Sequence, residues 1–392
     1  MYNAMILSMG HADDQKHKRN DVAKTRPWFI ISAIGVGIAC GLLFMVGYTT
    51  VFALLGSGTV AYVRQNGSTS TTTSSSISST TPVLDVAAYN KKLLALANYK
   101  TPLMVSTSSP QATSTVPHRL WPAKAVLPLP GALLPFNRIV AYYGNFYSTG
   151  MGILGEYPEA QVLQMLASTT ARWQAADPTT PVIPAIDYIA VTAQGSPGSD
   201  GKYRLRMPDD QIQKALDMAA QVHGLVFLDV QVGLSNVETE VPLLRKYLMM
   251  PQVHLSLDPE FAMQTSGRPP GTVIGTLDAT DINFAANYLA ALVTEYNLPP
   301  KILVIHRFTE DMVTNYKAIR PLPQVQIVMD MDGWGYPAKK INTYTYVIAD
   351  EPVQFTGFKL FYKADLQPPS MRLMTPAEVL NLIPAPSYIQ YQ

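Results

Sequence analysis

Short runs of apolar, β-branched and aromatic residues alternate with stretches of helical periodicity from residue 138 to residue 392. This alternation is typical of βαβ units that build a parallel sheet. The apolar runs predict eight strands, at residues 139–143, 182–187, 225–231, 253–258, 302–306, 325–331, 358–362 and 388–391. Eight parallel strands separated by helices are the number that closes a (β/α)8, or TIM-type, barrel.

Helix starts between these strands are marked by proline or threonine followed by acidic residues. Such signals occur at Pro158, Pro208, Thr280 and Thr375, and an acid in the first turn stabilises a helix. The pattern is least helical over residues 337–354, and no helix is predicted after the eighth strand. The barrel is therefore predicted to be irregular at its C-terminal end. An open, doubly wound sheet is the alternative, although no glycine-rich phosphate loop follows the first strand.

The N-terminal part has a different pattern, with no charged side chain between Arg26 and Arg64. About 20 apolar residues span a bilayer core, whereas a cleaved signal peptide has an apolar region of roughly 7 to 15. Residues 27–63 are therefore predicted to form one uncleaved transmembrane helix. Cations in residues 1–26 place that tail in the cytoplasm and the C-terminal part outside. A lipoprotein with a lipidated Cys40 is the alternative.

Residues 64–135 are predicted to form an extracytoplasmic linker. Residues 67–82 are almost all Ser and Thr, a composition that cannot bury enough apolar surface to offset its chain entropy, so a disordered tether is expected. Apolar positions within 84–99 predict one short helix, and residues 121–135 are too rich in proline for regular structure. The globular domain is predicted to span residues 136–392.

Composition excludes several classes of function. A formal net charge of +1, with 15% charged residues, gives no broad basic field to attract nucleic acid. The single cysteine, Cys40, lies in the apolar N-terminal run. The predicted domain therefore has no thiol for a disulfide, a cysteine zinc site or a cysteine nucleophile.

Polar side chains are concentrated where the predicted strands end. In a TIM-type barrel the loops at the C-terminal strand ends build the pocket, so these residues are candidates for a site. The candidate catalytic residues are Glu260, Asp258, Asp229, His306 and Asp332. The candidate substrate-binding residues are Tyr143, Asn145, Glu156, Asp187, Gln231, Arg307, Trp334, Lys359 and Tyr362.

Spacing along the fourth strand sharpens this assignment. Residues two apart share a face of a strand, and polar residues are costly to bury against helices, so Asp258 and Glu260 are predicted to face the barrel axis. Glycoside hydrolysis requires two carboxyl groups, one protonated and one ionised. Glu260 is the predicted acid, with Asp258, Asp229 or Asp332 as its partner. A simple strand end is the alternative interpretation of Asp258, which precedes a proline.

Short motifs run through the predicted domain. They are AYYGN at 141–145, GILGE at 152–156, FLDVQ at 227–231, LDPE at 257–260, FTEDM at 308–312, MDG at 331–333 and GFKLFY at 357–362. Together they resemble a family of exported bacterial proteins, often lipoproteins, that has no assigned activity. The resemblance implies export and a barrel related to glycoside hydrolases. The spacing of Asp258 and Glu260 is also similar to that in lysozyme-type and chitinase-type barrels, although this chain has Asp229 and Gln231 where chitinases carry a longer run of spaced aspartates.

Three functional hypotheses follow. The first is a membrane-anchored, cofactor-free glycosidase that acts outside the cytoplasm on cell-envelope or environmental polysaccharide. The second is a non-catalytic surface module that binds glycan or an envelope protein through the same rim. The third is a metal-dependent hydrolase with His254, His306, Asp258 and Asp332 as ligands. The expected partners are the membrane and a carbohydrate or cell-envelope polymer.

Overall fold

The computed structural model describes residues 83–100 and 119–392, and its core is a barrel of eight parallel strands. The barrel strands are β1 (Arg138–Gly144), β2 (Val182–Ala193), β3 (Leu225–Val230), β4 (Val253–Leu257), β5 (Lys301–Arg307), β6 (Val325–Met331), β7 (Phe355–Leu360) and β8 (Tyr388–Tyr391). Neighbours pair in chain order, and β1 pairs with both β2 and β8, which closes the sheet. The predicted TIM-type barrel is thus confirmed, and the doubly wound alternative is excluded.

Six of the eight strands differ from their predicted bounds, and β2 and β7 differ by more than one residue. β2 continues to Ala193 because its last residues pair with a short antiparallel strand, Arg204–Arg206. β7 begins at Phe355, three residues before its predicted start, and includes Gly357. A Cβ atom at Gly357 would lie 2.4 Å from a carboxyl oxygen of Asp330 on β6. The glycine that weakens the strand pattern is therefore required by an interior carboxyl group.

Helices surround the barrel wall, except for the first, which covers the N-terminal end of the barrel. They are α1 (Val86–Ala97), α2 (Ile153–Glu156), α3 (Glu159–Ala176), α4 (Asp209–Gln221), α5 (Val237–Leu243), α6 (Arg245–Leu248), α7 (Ala279–Tyr296), α8 (Pro337–Thr343) and α9 (Pro376–Leu380). Pro158, Pro208 and Thr375 are N-cap residues, as their sequence signals predict. The helix signalled at Thr280 is capped two residues earlier, by Asp278.

The prediction of little helical structure over residues 337–354 is wrong. α8 continues directly into a π-helical segment, Tyr344–Ala349. The Tyr344 ring is buried, and its hydroxyl donates to the Pro384 carbonyl at 2.6 Å and accepts from Thr356 Oγ1 at 2.8 Å. A π-helix has a wider turn than an α-helix, so its buried positions do not recur with the α-helical period.

The N-terminal end of the barrel is closed by residues that precede β1. Tyr89 on α1 packs with Leu134 and Phe355 in a core cluster that fills the lower barrel. Asn98, the C-cap of α1, donates to the carbonyls of Leu380 and Leu382. Residues 83–100 and 119–135 therefore belong to the compact domain, and the predicted domain start at 136 lies too late in the chain.

The remaining N-terminal predictions lie outside the described residues. These are the cytoplasmic tail (1–26), the transmembrane anchor (27–63) and the Ser/Thr tether (67–82). Within residues 83–100 and 119–392, no helix combines the length and the apolar composition that a membrane crossing requires.

Candidate active site

The interior of the barrel changes from apolar at its N-terminal end to acidic at its C-terminal end. Phe227, Ile302 and Val328 fill the lower part. Alternate residues of a strand share a face, so the residues two and four positions further along each strand also face the interior. In this chain many of them are polar. The buried polar side chains of the upper interior are Asp187, Asp229, Gln231, Ser256, Asp258, His306, Asp330, Asp332, Lys359 and Gln390. Seven of the fourteen predicted catalytic and binding residues thus converge in one cluster.

His306 lies at the centre of this cluster. Its Nδ1 atom is 3.1 Å from Asp330 Oδ2 and 3.8 Å from Asp332 Oδ2, and its Nε2 atom is 3.7 Å from Asp229 Oδ1. Burial, with a contribution from the charge of Lys359, lowers the pKa of His306 to about 4. The imidazole is therefore neutral at neutral pH, and it does not compensate the charge of the surrounding carboxyl groups.

The deepest carboxyl groups bind their protons more tightly than an exposed aspartic acid does. Burial raises the pKa of Asp330 to about 7. Burial also raises the pKa of Asp229 well above its usual range, and the charges of Asp258 and Asp187 add to the effect. Within the described residues, the Oδ1 atoms of Asp187, Asp229 and Asp330 are buried without a hydrogen-bond partner. An unsolvated, unpaired oxygen favours the neutral acid, so Asp229 is a poor anionic partner for catalysis.

Asp187 is a supporting residue below the site. Its Oδ2 atom accepts hydrogen bonds from the Tyr388 hydroxyl at 2.7 Å, Gln390 Nε2 at 2.8 Å and Ser256 Oγ at 3.0 Å. These donors come from β8 and β4, on either side of the barrel. Asp187 therefore holds three strands in register, and it lies below the acids at the rim.

The rim is built around the end of β4. Asp258 Oδ1 accepts from the Glu260 backbone N–H at 3.1 Å and caps a 3-10 turn, Pro259–Phe261, while its Oδ2 accepts from Gln231 Nε2 at 3.2 Å. Gly275 fixes the same turn by donating to the Glu260 carbonyl at 2.7 Å, and a Cβ atom at Gly275 would lie 2.5 Å from the Pro259 carbonyl. Asp258 thus ends its strand and also faces the cluster.

Charges at the rim separate the carboxyl groups into two kinds. Burial, together with the charges of Asp258 and Asp332, raises the pKa of Glu260 well above its usual range. Burial and the charge of Asp332 raise the pKa of Asp258 to about 7. Lys359 Nζ lies 3.0 Å from Asp332 Oδ1, and this ion pair stabilises Asp332 as a carboxylate. The rim therefore presents a protonated carboxylic acid close to a carboxylate.

Tyr143 links the rim to the deeper layer. Its hydroxyl donates to Asp229 Oδ2 at 3.0 Å and accepts from Gln231 Nε2 at 3.2 Å. Lys359 Nζ lies 3.9 Å from the centre of the Tyr143 ring, a cation–π contact that stabilises the buried ammonium. Although burial disfavours this ammonium, the neighbouring carboxyl groups, Asp332 first, raise the pKa of Lys359.

Exposure increases towards the rim. Asp229 and His306 are 0% exposed, Asp258 is 3% and Asp332 is 7% exposed, whereas Glu260 is only half-buried. Solvent therefore reaches the cluster from the side of Glu260 and Asp332. Trp334, two residues after Asp332, is also half-buried, and Lys339 Nζ lies 4.6 Å from the centre of its ring.

Arg307 and Tyr362 do not join the cluster. Arg307 follows the inward-facing His306, so its side chain points out of the barrel, where it pairs with Glu351 at 2.5 Å and donates to four backbone carbonyls. Tyr362 lies beyond the end of β7, and its hydroxyl bonds that of Tyr142 at 2.9 Å in the outer layer. Neither side chain is placed to contact a substrate in the barrel.

Asn145 and Glu156 also lie away from the acids. Asn145 Nδ2 donates to the Ile189 carbonyl at 3.0 Å, and its Oδ1 accepts from the Tyr147 backbone N–H at 2.9 Å. These bonds shape the loop that follows β1. Glu156 pairs with Lys363 at 2.8 Å near the surface.

The arrangement does not support the metal-hydrolase hypothesis. His254 Nδ1 accepts from the Ile302 backbone N–H at 3.0 Å. His306 lies four residues beyond Ile302 on β5, so about 13 Å along the strand separates the levels of the two histidines. Within residues 83–100 and 119–392, no group of three or more His, Cys, Asp or Glu side chains is arranged to hold a metal ion.

Several contributors were not predicted from the sequence. Tyr388 and Gln390 lie two residues apart on β8 and support Asp187, and the same alternation rule that identifies Asp258 could have found them. Lys340 gave no such signal. Its buried Nζ atom donates to the carbonyls of Gly333 and Lys359 at 2.8 Å and pairs with Asp365 at 2.9 Å, which joins the loops after β6 and β7.

No protein-family model matches this chain, and no curated protein matches its sequence significantly. The fold and the site alone therefore define its class, a TIM-type barrel with an acidic, largely buried cluster at the C-terminal ends of its strands. The family resemblance carried by the short motifs stays a prediction.

The protein is expected to lose stability as the pH rises from about 4 to about 7. The folded state keeps protons on Asp258 and Asp330, whose pKa values are raised to about 7. In the unfolded chain the same groups lose their protons at about pH 3.9. The stabilisation from these protons is fully present below the unfolded-state pKa. As the pH rises from that value to the folded-state pKa, the free energy of unfolding falls by about 1.4 kcal/mol per pH unit for each proton. His306, whose pKa is lowered to about 4, has the opposite effect: below about pH 6.5 the unfolded chain binds a proton there that the folded state does not, which offsets the slope of one aspartic acid.

Urea unfolding midpoints measured across this pH range test the expectation. Asp330→Asn should reduce the slope by about one proton, whereas Asp311→Asn, at an exposed site, should not change it. A midpoint that increases with pH in the wild type, or an unchanged slope in Asp330→Asn, would contradict the protonation states assigned to the cluster.

Proposed function

We propose that the protein is a membrane-anchored glycoside hydrolase that acts outside the cytoplasm on cell-envelope or environmental polysaccharide. The observation that carries the proposal is that the half-buried Glu260 and the Lys359–Asp332 ion pair lie at the same barrel mouth. Burial and neighbouring carboxyl groups keep the proton on Glu260, while Lys359 lies 3.0 Å from Asp332 and stabilises its charge. Glycosidic bond cleavage needs this combination of acid and carboxylate.

Each rim residue has a distinct role in the proposed reaction. Glu260 protonates the glycosidic oxygen as the bond breaks. Asp332 either bonds to the anomeric carbon, in a glycosyl ester that water then hydrolyses, or takes a proton from the water that attacks this carbon directly. In both routes the leaving sugar takes the Glu260 proton and water supplies the new hydroxyl group. Asp258 and Gln231 hold the Glu260 turn in place through the hydrogen bonds described above. Trp334 offers an aromatic face at the rim on which a sugar ring can stack.

The proposed location rests on the N-terminal sequence. The uncharged run at residues 27–63 is long enough to span a bilayer, and cations precede it. The barrel then lies outside the cytoplasm, where polysaccharide substrates occur. The reaction proposed for Glu260 and Asp332 uses no cofactor.

A second candidate is a non-catalytic module that binds glycan or an envelope protein. Its support is the burial of the acids, because Asp258 and Asp332 are only 3% and 7% exposed. A sugar ring held at the rim would contact Glu260 and Trp334 without reaching the deeper carboxyl groups.

Turnover distinguishes the two candidates. The full-length chain is incubated with a panel of soluble envelope and plant polysaccharides, and new reducing ends and bound sugar are both measured. We expect reducing ends to form, at a rate that falls as the pH rises through the raised pKa of Glu260, since the acid must be protonated. Binding without new reducing ends across the panel would contradict the enzyme and support the binding module.

A further inference from the structure

The end of the barrel opposite the mouth is covered by residues 83–100 and 119–135, which we call the basal face. Lys92 Nζ donates to the Thr179 carbonyl just before β2. Leu129 donates its backbone N–H to the Pro323 carbonyl just before β6, and Trp121 Nε1 donates to the Ala349 carbonyl ahead of β7. These acceptors all precede barrel strands, so the basal face lies at the N-terminal end of the barrel.

Exposed apolar side chains are concentrated on the basal face. Among the described residues, seven of the 17 exposed large hydrophobic side chains lie within these two short segments. They are Val83, Val86, Leu94, Leu120, Val126, Leu127 and Leu129. Leu94 is 66% exposed, on the side of α1 that faces away from the buried Tyr89. These segments hold seven such side chains in 35 residues, whereas residues 136–392 hold ten in 257. Clustered apolar exposure of this kind is typical of an interaction surface.

The basal face is also basic. Its cations are Lys91, Lys92, Lys100, Arg119 and Lys124, whereas Asp85 is the one acidic residue in these described segments. Lys91 lies three residues before Leu94 on α1, so a cation and an apolar side chain share the outer side of this helix. Apolar groups combined with Lys and Arg are the composition that binds the interface of an anionic bilayer.

We propose that the basal face docks on an anionic lipid bilayer, so that the barrel mouth opens away from the membrane. The inference rests on the proposed anchor at residues 27–63. Only residues 64–82 separate that run from the basal face, and we expect a span of about 24 Å for a segment of this composition and length. The tether therefore keeps the basal face close to the bilayer, and its cations complement anionic headgroups.

Two matched leucine sites test this orientation. Leu94 lies on the basal face, and Leu205 lies at the mouth end, in the strand that pairs with the end of β2; they are 66% and 50% exposed. Leu94→Cys and Leu205→Cys are made separately in the full-length Cys40→Ser chain and labelled with an environment-sensitive dye. The chains are reconstituted in vesicles that carry a lipid-attached quencher. On phosphatidylglycerol-containing vesicles, the dye at position 94 should be quenched several-fold more than the dye at 205.

Charge reversal tests the choice of lipid. Lys91→Glu combined with Lys124→Glu should remove the extra quenching, as should vesicles of phosphatidylcholine alone, whereas the mouth-end control Lys202→Glu should leave it unchanged. A chain that floats with vesicles but shows equal quenching at the two sites contradicts docking and leaves the anchor in place. A chain that does not float contradicts both. Release of reducing sugar is a separate measurement and reports on the enzyme alone.

Discussion

Replacing Glu260 by glutamine is expected to lower the rate of polysaccharide cleavage by about 100- to 10,000-fold, the usual contribution of a general acid. Glutamine has almost the same shape but no acidic proton to give to the leaving oxygen. The Glu260 backbone is held by Asp258 and Gly275, and these bonds do not involve its side chain. The fold should therefore be unchanged, and the loss should occur mainly in kcat.

The rate is measured as new reducing ends, with circular dichroism and urea unfolding to verify folding. Glu238→Gln is the matched control, because Glu238 is exposed in the first turn of α5 on the outside of the barrel. This control should retain the wild-type rate. Full activity in Glu260→Gln would remove Glu260 from the mechanism.

Replacing Lys340 by methionine is expected to destabilise the protein by about 3–5 kcal/mol, the usual cost of removing one partner of a buried ion pair. Asp365 is buried with Lys340 and also accepts from the backbone N–H groups of Gly335 and Phe361. Without the ammonium, Asp365 is left as an uncompensated buried charge. Burial lowers the pKa of Lys340 to about 8, against the opposing effect of Asp365, so the cation still exists at neutral pH.

The adjacent lysine provides the control. Lys339 is exposed, and its ammonium group lies over the face of Trp334. Lys339→Met should therefore change the free energy of unfolding by about 0.5 kcal/mol or less, as most surface substitutions do. Equal losses in the two variants, measured by urea unfolding at pH 7, would show that the Lys340–Asp365 pair does not hold the two loops together.

The barrel itself is readable from the sequence because its strands are buried on both faces. Such strands appear as short continuous apolar runs, and eight of them separated by helical stretches leave few topologies. Alternation along β4 and β5 then places Asp258 and His306 inside. The site is therefore predictable wherever a polar residue lies at an interior position of a regular strand.

The errors lie where this regularity ends. Position along the chain alone groups Arg307 and Tyr362 with the site. Arg307 directly follows the inward-facing His306 and therefore faces outward, and Tyr362 lies past the end of β7. The domain start at 136 was wrong because a proline-rich segment can pack on a barrel without forming helix or strand, as residues 119–135 do. Side-chain contacts between distant loops, such as that of Lys340 with Asp365, leave no local pattern.

The most direct test of the proposed site compares substrates that differ only in how much they need an acid. Aryl glycosides of the sugar identified by the polysaccharide panel can carry a good leaving group, which departs without protonation, or a poor one. For Glu260→Gln, we expect a large loss of kcat/KM on the polysaccharide and on the poor leaving group, with most of the wild-type kcat/KM retained on the good one. An equal loss on all three substrates would contradict the assignment of Glu260 as the proton donor.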